Sequence, residues 1–249
     1  MVNLEVCANS VTSALAAQEG GAVRVELCEN LAEGGTTPSY GQLLLTRKLL
    51  HIQVNVLIRP RSGDFLYTDL EFEVIKADIS NCIEAGCDGI VIGILNTDGT
   101  IDKPRCTELV RMAKQFGLSV TFHRAFDMCA DLFQSLEDVI ELGCDRILTS
   151  GGKSTAMEGV NIIRHLVEQA AGRISIMPGS GINDHNVADL VNYTGVTEVH
   201  SSARIQVPGK MEYKNDHILL SNGFTDEFGV DVTSVELVKR VVEAANSTS

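Results

Sequence analysis

The sequence lacks the segments that carry a chain into or through a membrane. Residues Met1 to Cys7 contain neither a basic region nor the long apolar run of a secretory signal. No later stretch approaches the roughly 18 uninterrupted apolar residues that a transmembrane helix needs. We therefore expect a cytoplasmic protein with no membrane partner, and a second, nuclear location stays open.

Basic residues are also scarce. The chain has 20 Lys and Arg against 33 Asp and Glu, a formal net charge of −13. Such a charge repels phosphate backbones and anionic lipids, so we do not expect nucleic acid as a partner. We attribute the acidic surface to solubility rather than to the gathering of metal ions.

Familiar catalytic motifs are missing. The sequence has no nucleophile elbow, no Walker loop and no paired CxxC. Hydroxyls at Ser10 and Ser150 have no recognisable base partner, so nothing indicates covalent catalysis. The seven cysteines are odd in number, and a chain of this length needs no disulfides to hold a core. We interpret them as reduced thiols.

Short β-branched runs alternate with amphipathic stretches along the whole chain. This pattern is typical of repeated βα units around a parallel sheet. The length of 249 residues suits one α/β domain, a (β/α)8 TIM barrel over residues 1–249, which typically needs about 250 residues. The eight predicted strands are Leu4–Cys7, Arg24–Cys28, Val54–Arg59, Gly89–Gly93, Ser119–His123, Arg146–Ser150, Ile174–Pro178 and Glu198–Ser202.

The turns between helices and strands carry a weak repeat. A glycine stands at the same place before each even-numbered strand, where a left-handed helix end explains it: Gly21, Gly86, Gly143 and Gly195. Cys87 and Cys144 directly follow two of these glycines, at the face of a barrel where active sites are not built, so we discount both as ligands. Helix starts are predicted at Thr37-Pro38, Asp69, Asp102, Asp131, Asp184 and Ser234.

One connection is far longer than the others. About 30 residues, 203–232, separate the eighth strand from its helix, where a few residues are usual. We predict an irregular lid or oligomer contact, because Gly209, Asn215, Asn222 and Gly223 fall in it. A disordered insertion is the alternative.

Strand alternation predicts an unusually polar barrel interior. Glu5 with Cys7, and Glu26 with Cys28, share the inward phase of the first two strands. The other inward side chains are Asn55, Leu57, Arg59, Thr121, His123, Glu198, His200 and Ser202. Buried glutamates need partners, for which Arg24, Arg59, Arg61, Arg124 and Arg146 are available. An ion network with no ligand would satisfy the same pattern.

The two inward cysteines could hold one soft metal ion. Neighbouring strands lie about 4.8 Å apart, and two metal–thiolate bonds of about 2.3 Å span a similar distance. Two thiolates without further obligatory ligands suit Cu(I) better than Zn²⁺. The alternative is that Cys7 and Cys28 are small buried hydrophobic residues.

Other strand ends suggest anion binding. Arg59 and Arg61 follow the third strand, and either could orient a carboxylate or phosphate. His123, Arg124 and Asp127 follow the fifth strand, where His123 is a candidate general base. A turn after the seventh strand offers backbone N–H groups, although it could be only a tight connection: Gly179, Ser180 and Gly181.

Together these motifs closely resemble the CutC family. The matching segments are Leu4–Cys7, Val25–Cys28, Glu33–Ser39, Arg59–Tyr67, Thr121–Asp127, Arg146–Gly151, Met177–Ile182 and Glu198–Arg204. The resemblance implies a homo-oligomeric barrel, a dimer or tetramer, linked to copper tolerance and binding one Cu(I) per subunit. It also implies that Cys7 and Cys28 are the copper ligands. Ser180 stands where many members carry glycine.

Two functional hypotheses follow. The first is a copper-homeostasis protein that binds Cu(I) through the two cysteines, with carboxylates and arginines around them. The second is an enzyme acting on a small anionic or phosphorylated metabolite, with His123, Glu26 or Asp127 as catalytic candidates. For the anionic ligand, the expected binding residues are Glu5, Arg59, Arg61, Arg124, Gly179, Ser180, Gly181 and His200.

Overall fold

The computed structural model describes residues 1–215, 217–218 and 228–247. The strands of this part of the chain are β1 (Asn3–Ala8), β2 (Arg24–Leu27), β3 (Gln53–Leu57), β4 (Gly89–Ile92), β5 (Ser119–Phe122), β6 (Arg146–Thr149), β7 (Ser175–Pro178), β8 (Glu198–Ser201), β9 (Arg204–Pro208) and β10 (Gly229–Thr233). Its α-helices are α1 (Val11–Glu19), α2 (Tyr40–Leu49), α3 (Asp69–Glu84), α4 (Lys103–Lys114), α5 (Leu132–Leu142), α6 (Val160–Ala170), α7 (Val187–Thr194) and α8 (Val235–Ala245).

Strands β1 to β8 form the predicted parallel barrel. Each pairs with its neighbours in chain order, β1 also pairs with β8, and β7 packs beside β8 to close the ring. Every predicted strand is present, with ends that differ from the prediction by at most two residues. The (β/α)8 fold class is therefore confirmed.

The alternation of side chains separates two apolar layers. Outward residues such as Val6, Val25 and Val54 belong to the large core between the sheet and the helices. A second, small cluster lies inside the barrel and contains Cys7, Cys28, Leu57 and Val91. Because successive strand residues point to opposite faces, one sequence fills both layers at once.

Four of the predicted helix starts are confirmed and two are wrong. The side chains of Asp102, Asp131 and Ser234 accept hydrogen bonds from the first turns of α4, α5 and α8. Helix α3 begins at Asp69, with Thr68 as its cap, whereas α2 and α7 begin later than predicted, after Ser39 and Asn186. The Thr37 hydroxyl accepts from the backbone of Arg59, and Asp184 forms an ion pair with Arg240. Both side chains are therefore used elsewhere.

The repeated glycines have the conformation that the sequence predicts. All four have positive φ, from 72° at Gly86 to 95° at Gly21. Gly143 and Gly195 are the C-caps of α5 and α7, whereas Gly21 and Gly86 come one residue after the cap. Their recurrence therefore reflects helix termination.

The long connection after β8 is not irregular throughout, so that prediction is partly wrong. Its two ends pair as an antiparallel ribbon of β9 and β10, and Gly209 lies just beyond β9. Most side chains of this ribbon are exposed or half-buried. Asn222 and Gly223, on which the prediction also relied, lie outside the described residues.

Candidate functional site

A buried ion network forms the floor of the barrel interior. Arg24 forms ion pairs with Glu5 and with Glu198, whose Oε2 is 2.6 Å from Arg24 Nη2. Arg146 Nε donates to the same Glu198 oxygen at 2.6 Å, and its Nη2 donates to Oε1 at 3.2 Å. Two carboxylates and two guanidinium groups therefore balance their charges where water has little access.

The network controls the protonation of its carboxylates. Burial alone would raise the pKa of Glu5, but the charges of Arg24 and His200 lower it to about 2. Arg146 and Arg24 likewise lower the pKa of Glu198 against the effect of burial. Of the predicted arginine partners, Arg24 and Arg146 therefore pair with the buried glutamates. The other three, Arg59, Arg61 and Arg124, bind other groups.

Above this floor lies a cluster of metal-binding side chains. One donor atom each from Cys7, Glu26 and His200 lies within 4.8 Å of the others. Cys7 Sγ is also 3.3 Å from Cys28 Sγ. The strand register pairs Cys7 with Glu26 rather than with Cys28, so the two sulfurs meet across a stagger of two residues.

His200 connects the cluster to the ion network. Its Nδ1 lies 2.8 Å from Glu5 Oε1, and its Nε2 lies 3.8 Å from Glu26 Oε2. Burial lowers the pKa of His200, but hydrogen bonds with Cys7 and Glu5 raise it well above its usual value. Burial also raises the pKa of Glu26. Two groups with raised pKa values, Glu26 and His200, therefore lie beside the thiols.

The Cys7 thiol is protonated at neutral pH. Its hydrogen bond with Cys28 and its burial raise its pKa well above the ordinary value. A metal ion that binds sulfur here must therefore displace a proton.

The cluster opens into a cavity of about 300 Å³ at the C-terminal ends of the strands. Cys7, Glu26 and His200 line it, whereas Cys28 lies fully buried behind Cys7. Its other lining residues are Leu31, Gly34, Leu57, Arg59, Phe65, His123, Arg124, Leu148, Ser180, Gly181, Ile182, Ser201, Ser202 and Arg204. A barrel of this type carries its ligand sites at this face.

His123 lies in the wall of this cavity as a neutral imidazole. Its Nδ1 accepts a hydrogen bond from the backbone of Ala125 at 3.1 Å, so the proton of the neutral ring is on Nε2. Burial and the nearby charge of Arg59 lower its pKa to about 3. The ring fits against Gly93, where an added Cβ would come within 2.5 Å of Cε1.

The burial of His123 predicts a loss of stability in acid. The unfolded chain takes up a proton below a pH of about 6.5, whereas the folded imidazole stays neutral down to a pH of about 3. Stability should therefore fall as the pH falls through this range, by roughly 2 kcal/mol between pH 6.5 and 5 from this group. Denaturant unfolding of His123→Asn, whose amide can still cap the turn, should show a flatter pH profile than wild type.

The exposed His185 provides a control for this prediction. His185→Asn should keep the wild-type pH profile. Parallel profiles for wild type and His123→Asn would contradict the assignment of a buried neutral His123.

Arg59 is held by backbone carbonyl groups rather than by a glutamate. Nη1 donates to the carbonyls of Glu33 and Gly35 at 2.9 and 2.7 Å, and Nη2 donates to Gly63 at 2.8 Å. Its Nε is buried and has no hydrogen-bond partner among the described residues. Arg59 therefore fixes the loops after β2 and β3 while it lines the cavity.

Arg124 and Asp127 form a second fixed unit after β5. Arg124 Nε donates to Asp127 Oδ2 at 2.8 Å, and its Nη2 donates to the Ser150 hydroxyl at 2.8 Å. Asp127 also accepts from the backbone of Ser150 and Gly152 at 3.0 Å each. Arg124 lines the cavity, but Asp127 is behind it and orders the loop after β6.

Arg61 is not brought to the cavity. It binds Glu71 and Asp64, at 2.5 and 3.0 Å, and backbone carbonyls of its own loop. In the predicted turn after β7, Ser180 and Gly181 line the cavity and Gly179 packs against His200. Ser180 has φ of 78°, a left-handed conformation that favours glycine, and its hydroxyl donates to the Ser154 carbonyl at 2.7 Å.

Several cavity residues and one grouping did not follow from the sequence. Arg204 and Phe65 line the cavity although neither was a candidate. His200 was expected among the anion ligands, but it lies with Cys7 and Glu26. Its position two residues after Glu198 gives the correct face, whereas its neighbours depend on the register between β1 and β8.

Comparison with known proteins agrees with the motifs. The model of the CutC family matches residues 2–205. The chain belongs to the CutC family. A CutC family protein of Bacteroides fragilis is 47% identical over 246 residues, covering 98% of this chain and 97% of the relative. One from Chromobacterium violaceum is 46% identical over 241 residues, covering 97% of each chain.

Solved structures give the same result. A putative copper homeostasis protein CutC from Streptococcus agalactiae superposes with a TM-score of 0.77 and 38% identity, covering 81% of this chain and 99% of that one. Thiamine phosphate pyrophosphorylase from Pyrococcus furiosus, at 14% identity and a TM-score of 0.60, shares the fold alone. Among the described residues of this CutC chain, every helix is too short or too polar to cross a membrane.

Proposed function

We propose that this CutC protein serves copper homeostasis by binding one Cu(I) per subunit through Cys7 and Cys28. The observation that carries the proposal is the 3.3 Å separation of the two sulfurs beside a cavity that opens at the barrel mouth. Copper is the ion named for the related protein from Streptococcus agalactiae. Thiolates are the ligands that Cu(I) prefers.

The two sulfurs fit a single soft ion. Two metal–sulfur bonds of about 2.3 Å can join sulfurs that are as much as about 4.6 Å apart. The observed separation of 3.3 Å lies within that reach, so one ion could bridge the two sulfurs. The buried and apolar surroundings of Cys28, with Leu57 and Val91, would protect the bound ion from water and oxidation.

The neighbouring groups suit an arriving cation. Glu26 and His200 stand beside Cys7 on the cavity wall, where the Glu26 carboxylate can accept a displaced proton or offer a further ligand. Glu5 holds the His200 ring in place through Nδ1. Cys7 faces the cavity and Cys28 lies behind it, so Cys7 would meet the ion first.

The enzyme hypothesis has less support. Asp127, a catalytic candidate, does not line the cavity, and its oxygens accept bonds from Thr149, Ser150 and Gly152. His123 keeps its Nδ1 on the backbone of Ala125. Glu26, the third candidate, lies with Cys7 and His200, beside the proposed copper ligands.

X-ray absorption at the copper edge tests the ligands directly. We expect two sulfur neighbours at about 2.3 Å and at most one nitrogen or oxygen. Cys129→Ser, which changes a thiol outside the cavity, should leave the spectrum unchanged. A first shell of nitrogen and oxygen alone in wild type would contradict the proposal.

We also propose a homo-oligomer, a dimer or tetramer. Helix α2 leaves four large apolar side chains exposed to about half of their area: Tyr40, Leu44, Leu45 and Leu49. Several large exposed apolar side chains on one helix favour a contact between proteins. Light scattering should therefore give a mass of two or four subunits, and a mass of one subunit would contradict the proposal.

A further inference from the structure

The cavity is much larger than a copper ion requires. Its volume of about 300 Å³ matches the lower end of small-molecule sites, which begin at about 300 Å³. The proposed copper ligands occupy only the wall formed by β1, β2 and β8. In the barrel order the opposite wall belongs to β4 and β5, where His123 stands.

One buried hydrogen-bond donor on this opposite wall has no acceptor. His123 Nε2 is buried and has no partner among the described residues. Arg59, which follows β3, packs against the same ring, since Phe65 lies 5.0 Å from the His123 ring centre and 5.1 Å from Arg59 Cζ. An unpartnered buried donor is costly, so its position beside the cavity indicates a missing acceptor.

The charge of the lining has the sign that attracts an anion. Three arginines line the cavity, Arg59, Arg124 and Arg204, against one carboxylate, Glu26. This is the reverse of the whole chain, in which 33 acidic residues outnumber 20 basic ones. Asp127 and Asp231 pair with Arg124 and Arg204, whereas Arg59 has no carboxylate partner among the described residues.

We propose that the cavity binds a small organic oxyanion, a carboxylate or a phosphate monoester, between His123, Arg59 and Arg204. His123 Nε2–H donates to an oxygen of the anion, and Arg204 contributes charge at the cavity mouth. The apolar side chains of Phe65, Leu57 and Leu148 receive a hydrocarbon body. This ligand is independent of the copper site, since none of its contacts requires a sulfur.

Calorimetric titration with four probes tests the proposal. The probes are inorganic phosphate, phenyl phosphate, acetate and benzoate, each at constant ionic strength with chloride as the balancing anion. We expect saturable binding, with each phenyl compound at least about tenfold tighter than its parent because the ring buries apolar area. Tighter binding of phenyl phosphate or of benzoate identifies the headgroup. No saturable heat from any probe would overturn the proposal.

Variants test whether the proposed side chains bind the anion. His123→Asn removes the Nε2 donor, and we expect it to weaken the tightest probe at least about tenfold. Arg204→Gln, on a half-exposed ribbon residue that should tolerate change, is expected to weaken it about three- to tenfold. Arg164→Gln, in a surface pair with Glu168, should bind as wild type. Equal affinity in wild type, His123→Asn and Arg204→Gln would overturn the assignment.

The Cys7→Ser, Cys28→Ser double variant separates this proposal from the copper proposal. It should retain the oxyanion affinity, because none of the proposed contacts is made by a sulfur. Loss of oxyanion binding in this folded variant would overturn the independence of the two sites, whatever its copper affinity.

Discussion

Replacing Arg24 by Met should lower the free energy of unfolding by about 3–5 kcal/mol, because it removes the guanidinium partner of a charged carboxylate inside the barrel and leaves only His200 beside it. Glu5 is fully buried, and Arg24 is the charge that lowers its pKa most strongly. Arg146 can still neutralise Glu198, but it has no contact with Glu5 among the described residues. Denaturant unfolding at neutral pH measures the loss.

A surface control variant and a double variant test this prediction further. Arg173→Met breaks a surface pair with Glu137 and should change stability little, because water screens that pair. Adding Glu5→Gln to Arg24→Met should recover part of the loss, since it removes the unpaired charge. If Arg24→Met unfolded like Arg173→Met, the network would not be the buried ion cluster described above.

The residue pattern predicted the barrel and its polar interior well. Alternation along β1, β2 and β8 placed Glu5, Cys7, Glu26 and His200 on the inner face, because strand side chains have a fixed period of two. The parallel barrel itself followed from repeated βα units. These features depend on local backbone geometry, which the pattern of apolar and polar residues indicates directly.

Contacts between strands were harder to predict. Whether Cys7 lies beside Cys28 depends on the stagger of β1 and β2, and whether His200 joins them depends on the register of β1 and β8. The residues of a single strand do not determine its stagger or its register against a neighbouring strand. The grouping of His200 with the thiols therefore required the structure.

Loop side chains were the least predictable. Arg61 follows Pro60 in an irregular segment, where no period gives its direction, and it binds its own loop and Glu71. Thr37 looked like a helix cap until Ser39 proved to occupy that position. The β9 and β10 ribbon did carry a signal, since Ile205 alternates with Val207 and Val230 with Val232.

Removing both sulfurs should have the largest effect on copper binding. We expect Cys7→Ser with Cys28→Ser to weaken Cu(I) binding by at least about a thousandfold, because changes outside the ligand sphere alone cost about 10- to 100-fold. Each single variant should lose most of this affinity, since one thiolate cannot hold the ion as two do. His200→Gln, which changes a neighbour of the sulfurs, should cost about 10- to 100-fold.

Matched variants control for the number of thiols and for folding. Cys129→Ser removes a partly exposed thiol and should keep wild-type affinity. Circular dichroism should show that each variant retains the barrel. Equal losses in Cys129→Ser and in the double variant would indicate general thiol chemistry rather than a site.

An anaerobic titration of reduced protein with Cu(I) against a competing chelator tests the central claim most directly. We predict one tightly bound equivalent per subunit in wild type and in Cys129→Ser, and its loss in the Cys7→Ser, Cys28→Ser variant. A wild-type affinity that the double substitution leaves unchanged would contradict the assignment of these two sulfurs as the copper ligands.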